Sequence, residues 1–299
     1  MAVSSYVLTN GDVPLVARLH RGGGDPLAPL PAVIVMGSWL TVKEQMADGY
    51  AAALADRGYA AFTFDFSGFG ESGGSLRQTE IPTRKAGDIA AMVRFVSGLS
   101  TVAPGGPGVL AVCASAQYTL AAVAEGVPIA SFASVAGWFH DERSVAAFYG
   151  GADGVADRLA RADAAARRYA STGELATVPA YAAGDERAGM FVEMDYYANP
   201  ERGAVPAWRN EMTELTWAHW LTYDGLTAAS MVDIPALFVH SDDCVFPDNA
   251  RTVAGAMKRP ADVAWGEGAQ IDFYDRPAQM SFAVEAVDAH FRRTLGGTR

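Results

Sequence analysis

The chain has few cysteines, few basic residues and no long apolar run, and each shortage excludes a class of protein. Its two cysteines, Cys113 and Cys244, allow at most one disulfide bond. The 23 lysines and arginines are outnumbered by 34 aspartates and glutamates, which gives a net charge of −11. We therefore expect no nucleic-acid partner and no anionic membrane surface, because both need a basic face. No apolar run approaches the roughly 18 residues of a membrane-spanning helix.

Export signals and ligand-binding motifs are also missing. Residues 1–6 lack the basic start and apolar core of a signal peptide, so we expect a cytoplasmic protein with free thiols. The five histidines and two cysteines show no metal-ligand spacing. The glycine-rich residues 22–24 and 105–106 do not open a helix as phosphate-binding loops do. We expect no metal, no cofactor and a small-molecule substrate. The sequence does not decide whether the protein is a monomer or a homodimer.

What the chain does contain is an alternation of short apolar runs with helical patterns, at 50% hydrophobic and 19% charged residues. This alternation is typical of an α/β fold whose mostly parallel sheet is covered by helices on both faces. Asn10-Gly11-Asp12 predicts a hairpin turn, so the first two strands are expected to be antiparallel. Eight strands are predicted, at residues 6–8, 15–19, 32–36, 60–64, 109–112, 130–136, 236–240 and 262–265.

A long insertion separates the sixth and seventh predicted strands. Residues 141–234 are far more chain than one crossover helix needs, so we expect a helical cap there. The α/β core is then formed by residues 1–140 and 235–299. Within the cap, helices are predicted over residues 155–169 and 208–220. Aromatic residues of the cap are candidates to roof an apolar pocket: Tyr196, Tyr197, Trp208, Trp217, Trp220 and Tyr223.

The segment Cys113-Ala114-Ser115 lies between the apolar run 109–112 and a helical pattern. A strand that turns sharply into a helix here resembles the nucleophile elbow of α/β-hydrolases, with the reactive side chain at the bend. The bend needs small residues two positions before and after the nucleophile. Cys113 has small residues at both positions, whereas Ser115 has the large Gln117, so sterics favour Cys113. Serine is the commoner nucleophile in this fold, which keeps Ser115 as the alternative.

Further segments carry a closer resemblance. They are Asp65-Phe66-Ser67-Gly68-Phe69-Gly70-Glu71-Ser72, Val42-Lys43-Glu44-Gln45-Met46, Arg77-Gln78-Thr79-Glu80-Ile81-Pro82, and Tyr118 shortly after the elbow. Over residues 30–295 the chain resembles the dienelactone-hydrolase-related esterases of the α/β-hydrolase superfamily. The resemblance implies an eight-stranded α/β-hydrolase fold and acyl transfer through a nucleophile.

The resemblance also implies an oxyanion hole, which needs two backbone donors. One donor belongs to the residue after the nucleophile, which is Ala114 if Cys113 attacks and Ala116 if Ser115 attacks. The other belongs to the loop after the third strand, Gly37-Ser38-Trp39, where Gly37 permits the turn and Ser38 or Trp39 supplies the N–H.

The acid and the base complete the implied site. The family loop places an aspartate four residues before a proline, which selects Asp243, with Asp242 as the alternative. The usual catalytic histidine is replaced here by Gln270, or by Ile271 in a shifted alignment, and neither can accept a proton near neutral pH. His140 follows the sixth strand, near the sheet edge where ligands bind, so we hypothesise that it replaces the base or binds substrate. A thiol at a helix N-terminus ionises more readily than a hydroxyl, so the missing histidine also favours Cys113.

Three functions remain open at this stage. The first is hydrolysis of an ester, lactone or thioester of a small to medium apolar compound by a cysteine or serine nucleophile with an atypical triad. The second is a lyase, cyclase or isomerase of a biosynthetic pathway that uses the same pocket without a covalent intermediate. The third is a catalytically inactive binding protein. Fold resemblance alone cannot separate these classes.

Overall fold

A computed structural model describes residues 1–296 of the chain, which fold around one eight-stranded sheet. The ten strands are β1 (Ala2–Asn10), β2 (Val13–Arg21), β3 (Ala32–Met36), β4 (Ala60–Phe64), β5 (Gly108–Val112), β6 (Ser131–Val135), β7 (Thr177–Val178), β8 (Met212–Thr213), β9 (Ala236–Ser241) and β10 (Asp262–Gly266). The large sheet has the order β1-β2-β4-β3-β5-β6-β9-β10, and β7 pairs with β8 separately. Strand β2 is antiparallel to β1 and β4, and the other pairs of the large sheet are parallel. The predicted fold class and the predicted hairpin are confirmed.

The central strands are apolar because both of their faces are covered. Every residue of β3, β4, β5, β6 and β9 is buried. Continuous apolar runs are expected in such strands, since a parallel sheet carries helices on both faces. The edge strand β1 is mostly exposed, and it is recognised from its turn rather than from its apolar content.

Helices alternate with the strands of the sheet. They are α1 (Met46–Ala55), α2 (Pro82–Ser97), α3 (Ser115–Ala124), α4 (Glu142–Phe148), α5 (Gly151–Thr172), α6 (Asp195–Ala198), α7 (Thr216–Trp220), α8 (Pro247–Ala256), α9 (Asp272–Asp275) and α10 (Pro277–Thr294), with a 3₁₀ turn at Thr227–Met231. Helix α1 packs with α10, and α2 packs with α3. Within residues 1–296, no helix is both long enough and apolar enough to cross a membrane.

Between β6 and β9 the chain makes the long excursion that we call the cap segment, residues 141–234. It contains α4 to α7, the β7–β8 ladder and the 3₁₀ turn. The helix predicted over residues 155–169 lies within α5, but the helix predicted over residues 208–220 is wrong except for α7. The residues before α7 are not helical, because Trp208 and Asn210 bind backbone groups elsewhere: the Trp208 indole donates to the Leu40 carbonyl at 2.8 Å, and Asn210 exchanges hydrogen bonds with the Tyr181 backbone.

Candidate active site

Cys113 occupies the bend between β5 and α3. Its φ of 60° lies in the left-handed region, which is uncommon for a residue with a side chain and costs conformational energy. Hydrogen bonds from the Cys113 N–H to the Val135 carbonyl at 3.1 Å and from the Trp138 N–H to the Cys113 carbonyl at 3.0 Å hold the bend in place. Helix α3 begins two residues later at Ser115. The strained residue of the elbow is therefore the cysteine.

Ser115 faces the interior of the protein. It is fully buried in the first turn of α3, and its hydroxyl donates to the carbonyl of Val112 at 3.0 Å and lies 3.4 Å from that of Met36. Ser115 does not line the cavity described next. The structure brings Cys113, and not Ser115, to that cavity.

A cavity of about 220 Å³ lies beside Cys113. The sheet core and the cap segment both contribute to its wall, which is largely aromatic and apolar. The lining residues are Ser38, Trp39, Cys113, Trp138, Phe148, Tyr149, Gly189, Met190, Phe191, Val192, Glu193, Met194, Tyr197, Trp220, Asp243, Val245, Ala269, Gln270, Ile271 and Tyr274. Such a wall, with a few polar groups beside a nucleophile, is typical of a pocket for a small molecule.

Two backbone amides approach the sulfur of Cys113. The N–H groups of Ala114 and Trp39 lie close enough to lower the pKa of the thiol, and the hydroxyls of Ser38 and Tyr274 act in the same direction. Burial has the larger effect and raises the pKa of Cys113 above its ordinary value. The thiol is therefore mostly protonated at rest, beside two N–H donors of the kind that stabilise an oxyanion.

Gln270 is part of the polar portion of the cavity wall. Its Nε2 donates to the Ala136 carbonyl at 2.6 Å and lies 3.3 Å from the Tyr274 hydroxyl, while its Oε1 accepts from the Val245 N–H at 3.1 Å. The Tyr274 hydroxyl is in turn 3.3 Å from the hydroxyl of Ser38. Burial raises the pKa of Tyr274 well above its ordinary value, so the phenol stays neutral. Gln270, Tyr274 and Ser38 therefore offer neutral hydrogen-bonding groups, and none of the three is a general base.

The two candidate acids have different surroundings. Asp243 is exposed and lines the cavity, as Glu193 of the cap segment does. Asp242 points to the surface, where it pairs with Arg251 and accepts from the Trp265 indole at 3.1 Å. The structure therefore brings Asp243 together with Cys113, and not Asp242.

His140 lies behind the cavity wall, fully buried. Its Nδ1 accepts from the Trp138 indole at 2.7 Å, and its Nε2 donates to the Trp220 carbonyl at 2.8 Å, which assigns the proton to Nε2. Burial lowers the pKa of His140 to about 4. Both ring nitrogens are occupied and His140 does not line the cavity, so the structure does not bring it to Cys113. His140 instead holds Trp138 and Trp220, two residues of the cavity wall, in position.

Known proteins share this architecture. The uncharacterised protein PA2218 of Pseudomonas aeruginosa is 28% identical over 285 residues, covering 90% of this chain and 75% of that protein. Its crystal structure matches with a TM-score of 0.82 over 98% of this chain and 94% of that chain, at 24% identity. The uncharacterised protein YcjY of Escherichia coli K12 is 26% identical over 274 residues, covering 85% of each chain. No model of a known protein family matches the chain.

One of the matching solved structures is described as an α/β hydrolase. The α/β hydrolase GrgF from Penicillium sp. sh18 matches with a TM-score of 0.81 over 99% of this chain and 100% of that chain, at 18% identity. The chain has the α/β-hydrolase fold. In this fold ligands bind outside the carboxyl ends of the parallel strands, which is the edge where Cys113 and the cavity lie.

A second arrangement of hydrolase-like residues lies at the opposite edge of the α/β-hydrolase sheet. His290 of α10 has its Nε2 2.9 Å from the Ser131 hydroxyl and its Nδ1 2.9 Å from an Asp262 carboxylate oxygen. Ser131 opens β6 and Asp262 opens β10, so both lie at the amino ends of their strands. Ser131 and His290 are buried, and neither lines the cavity. These residues fasten α10 to the sheet.

Sequence reasoning missed most of the residues that line the cavity, among them Tyr274 and Trp138. Tyr274 follows Gln270 by four residues, and this spacing, one helical turn, was the available signal. Trp138 carried no signal beyond its position after β6. Of the cap aromatics named above, Tyr197 and Trp220 line the cavity and the other four do not. Within residues 1–296, no group of histidine, cysteine and carboxylate side chains is placed to hold a metal ion.

Proposed function

We propose that the protein is a cysteine-dependent acyl-transfer enzyme that cleaves an ester, lactone or thioester of a small to medium apolar compound. The observation that carries the proposal is the position of Cys113, strained at the elbow and beside the amides of Ala114 and Trp39 in an aromatic cavity. A strained bend has no use in a passive binding site, but it aims a nucleophile at a bound carbonyl.

The proposed reaction has two steps. In the first, the Cys113 sulfur bonds to the carbonyl carbon, the bond to the leaving oxygen or sulfur breaks, and the thiol proton goes to the leaving group. The amides of Ala114 and Trp39 stabilise the negative charge on the carbonyl oxygen. In the second, water bonds to the acyl carbon and gives a proton to Asp243, the carbon–sulfur bond breaks, and Asp243 returns that proton to the sulfur. Asp243 has this role because it is a carboxylate of the cavity wall on the core side.

Within this class, thioesters are the substrates that the site favours. A buried thiol with a raised pKa and no imidazole beside it is a weak nucleophile towards an alkyl ester. A thioester has a better leaving group than an alkyl ester, since a thiol is far more acidic than an alcohol and its thiolate is correspondingly more stable than an alkoxide. We therefore expect turnover of acyl thioesters to exceed that of the matching alkyl esters.

The test is acylation of the intact protein. The protein is incubated with p-nitrophenyl butyrate or with a butyryl thioester of N-acetylcysteamine, and its mass is measured over time. A butyryl adduct is expected on the wild type and on Ser115→Ala, and none on Cys113→Ala. Cys244→Ala is the matched control, because Cys244 is the other free buried thiol, and it should be acylated like the wild type.

A second function is favoured by a different observation. Ser38, Gln270 and Tyr274 supply neutral donors, and no histidine of residues 1–296 lines the cavity. Such donors polarise a carbonyl without covalent chemistry, as a lyase, cyclase or isomerase requires. If neither reagent acylates the wild type while Cys113 is still alkylated by iodoacetamide, the covalent proposal is refuted and this second function is favoured.

A further inference from the structure

A buried carboxylate connects the two halves of the proposed oxyanion hole. Glu80 lies just before α2 and is completely buried. Its Oε2 accepts from the backbone N–H of Leu40 at 3.0 Å, and its Oε1 accepts from the Tyr118 hydroxyl at 2.7 Å. Leu40 directly follows Trp39 after β3, and Tyr118 is in the first turns of α3, just after Ala114. One side chain therefore binds both segments that carry the donors.

The charge of this carboxylate is balanced inside the core. Lys85 of α2, also completely buried, approaches both Glu80 oxygens, at 2.7 and 2.8 Å. The Lys85 ammonium also lies over the rings of Phe66 and Phe69, at 4.5 and 4.6 Å from their centres. A buried ion pair of this kind is often no more stabilising than well-packed apolar residues of the same volume. Stability alone therefore does not explain why Glu80 and Lys85 are charged residues.

Leu40 needs to be held, because its backbone is strained. Its φ of 58° lies in the left-handed region, which a leucine rarely adopts. The Leu40 N–H binds Glu80, and its carbonyl accepts from the Trp208 indole of the cap segment at 2.8 Å. The backbone N–H and the carbonyl of Leu40 are thus both fixed by distant parts of the chain. Strain of this kind persists only where the surrounding structure over-determines it.

We propose that Glu80 is a positioning residue, which fixes the Trp39 amide relative to the Ala114 amide so that both donors reach the same carbonyl oxygen. This inference rests on the proposed acyl transfer. Its chemical reason is that an oxyanion hole works only when its donors are held in advance at the place where the charge develops. The Lys85 ammonium contacts the same carboxyl group, and hydrogen bonds made within an ion pair of this kind are stronger than those between neutral groups.

The test compares two reactions of the same thiol. Acylation of Cys113 by p-nitrophenyl butyrate passes through an oxyanion, whereas alkylation by iodoacetamide does not. The variant Tyr118→Phe removes the bond from Glu80 to α3 and leaves Glu80 paired with Lys85. The double variant Glu80→Gln with Lys85→Met removes the carboxylate without leaving an unpaired buried charge. Both rate constants are measured for each variant, by p-nitrophenolate release and by intact mass.

We expect acylation to fall about tenfold in Tyr118→Phe and about a hundredfold in the double variant, since loss of one oxyanion donor costs about 10²–10³. Alkylation should stay within about twofold of the wild type. Thr79→Val is the matched control, because Thr79 is the buried neighbour of Glu80 and binds Thr213 instead of the oxyanion loop. It should leave both rates unchanged.

The other outcomes overturn the inference. If both rates fall together, Glu80 only maintains the shape of the cavity, and if neither falls, the donors are held without it. Absence of acylation in the wild type refutes the proposed function itself, which distinguishes that failure from failure of the inference alone.

Discussion

Acidification should destabilise the protein through His140, and the size of the effect follows from its burial. The pKa of His140 is about 4 in the folded protein against an ordinary value of 6.5, because burial penalises the charged ring. A lowered pKa in the folded state means that the unfolded chain binds the proton more tightly. The stabilising contribution is therefore fully present above pH 6.5, and it is lost as the pH falls towards 4.

The magnitude can be worked out from these two values. Between pH 7 and pH 5 the free energy of unfolding should fall by about 2 kcal/mol on account of His140, at about 1.4 kcal/mol per pH unit in the steep region. His240 has the same folded pKa, about 4, and adds a similar loss. Together these losses are a large part of the stability of about 5–15 kcal/mol that is usual for a folded domain.

The measurement is urea unfolding at a series of pH values from 7 to 5, for the wild type and for His140→Gln. The variant should be less stable at pH 7, since the Trp138 indole loses its partner, but its stability should fall by about 2 kcal/mol less on acidification. His219→Gln is the comparison variant, because burial lowers the pKa of His219 in the same direction while its side chain is largely exposed, so its profile should flatten less than that of His140→Gln. A parallel pH profile for His140→Gln would refute the reasoning.

Three further outcomes are expected. Asp243→Asn should slow hydrolysis of the acyl-enzyme about a hundredfold, so that the adduct on Cys113 persists far longer than on the wild type in intact-mass measurements, and an adduct that decays at the wild-type rate would exclude Asp243 as proton acceptor. Lys85→Met alone leaves the Glu80 carboxylate buried without its partner and should cost about 3–5 kcal/mol in urea unfolding, whereas a loss below about 1 kcal/mol would show that the pair is not coupled. Gln270→His should raise the rate of iodoacetamide alkylation of Cys113 at pH 7 by about tenfold, since an imidazole in the wall favours the thiolate, and an unchanged rate would place residue 270 out of reach of the sulfur.

The fold could be predicted from the sequence because its signals are local. The apolar runs at residues 32–36 and 109–112 correspond to strands buried on both faces, and Gly11 marks the hairpin. The cap segment was less predictable. Residues 208–215 have helical spacing, but the Trp208 indole binds a carbonyl 168 residues away, and no local pattern contains that information.

The candidate site, too, could be predicted only where its signals are local. Small residues around Cys113 are visible in the sequence, and they select it as the residue of the bend. Whether His140 serves as a base depends on which groups its ring meets, and the Trp138 indole and the Trp220 carbonyl that occupy it belong to different segments. The role of Glu80 was hidden for the same reason, because its partners Leu40 and Tyr118 are brought together only by folding.

The serine, histidine and aspartate that fasten α10 to the sheet have a consequence for how enzymes are found. A search that matches three side chains by distance alone would select Ser131, His290 and Asp262 as a reaction centre, with hydrogen bonds of 2.9 Å on both sides of the imidazole. Ser131 is fully buried and, unlike Cys113, does not line the cavity, so a substrate bound there does not meet that serine. A geometric template therefore identifies chemistry only when it also asks whether a solvent-connected space touches the attacking atom.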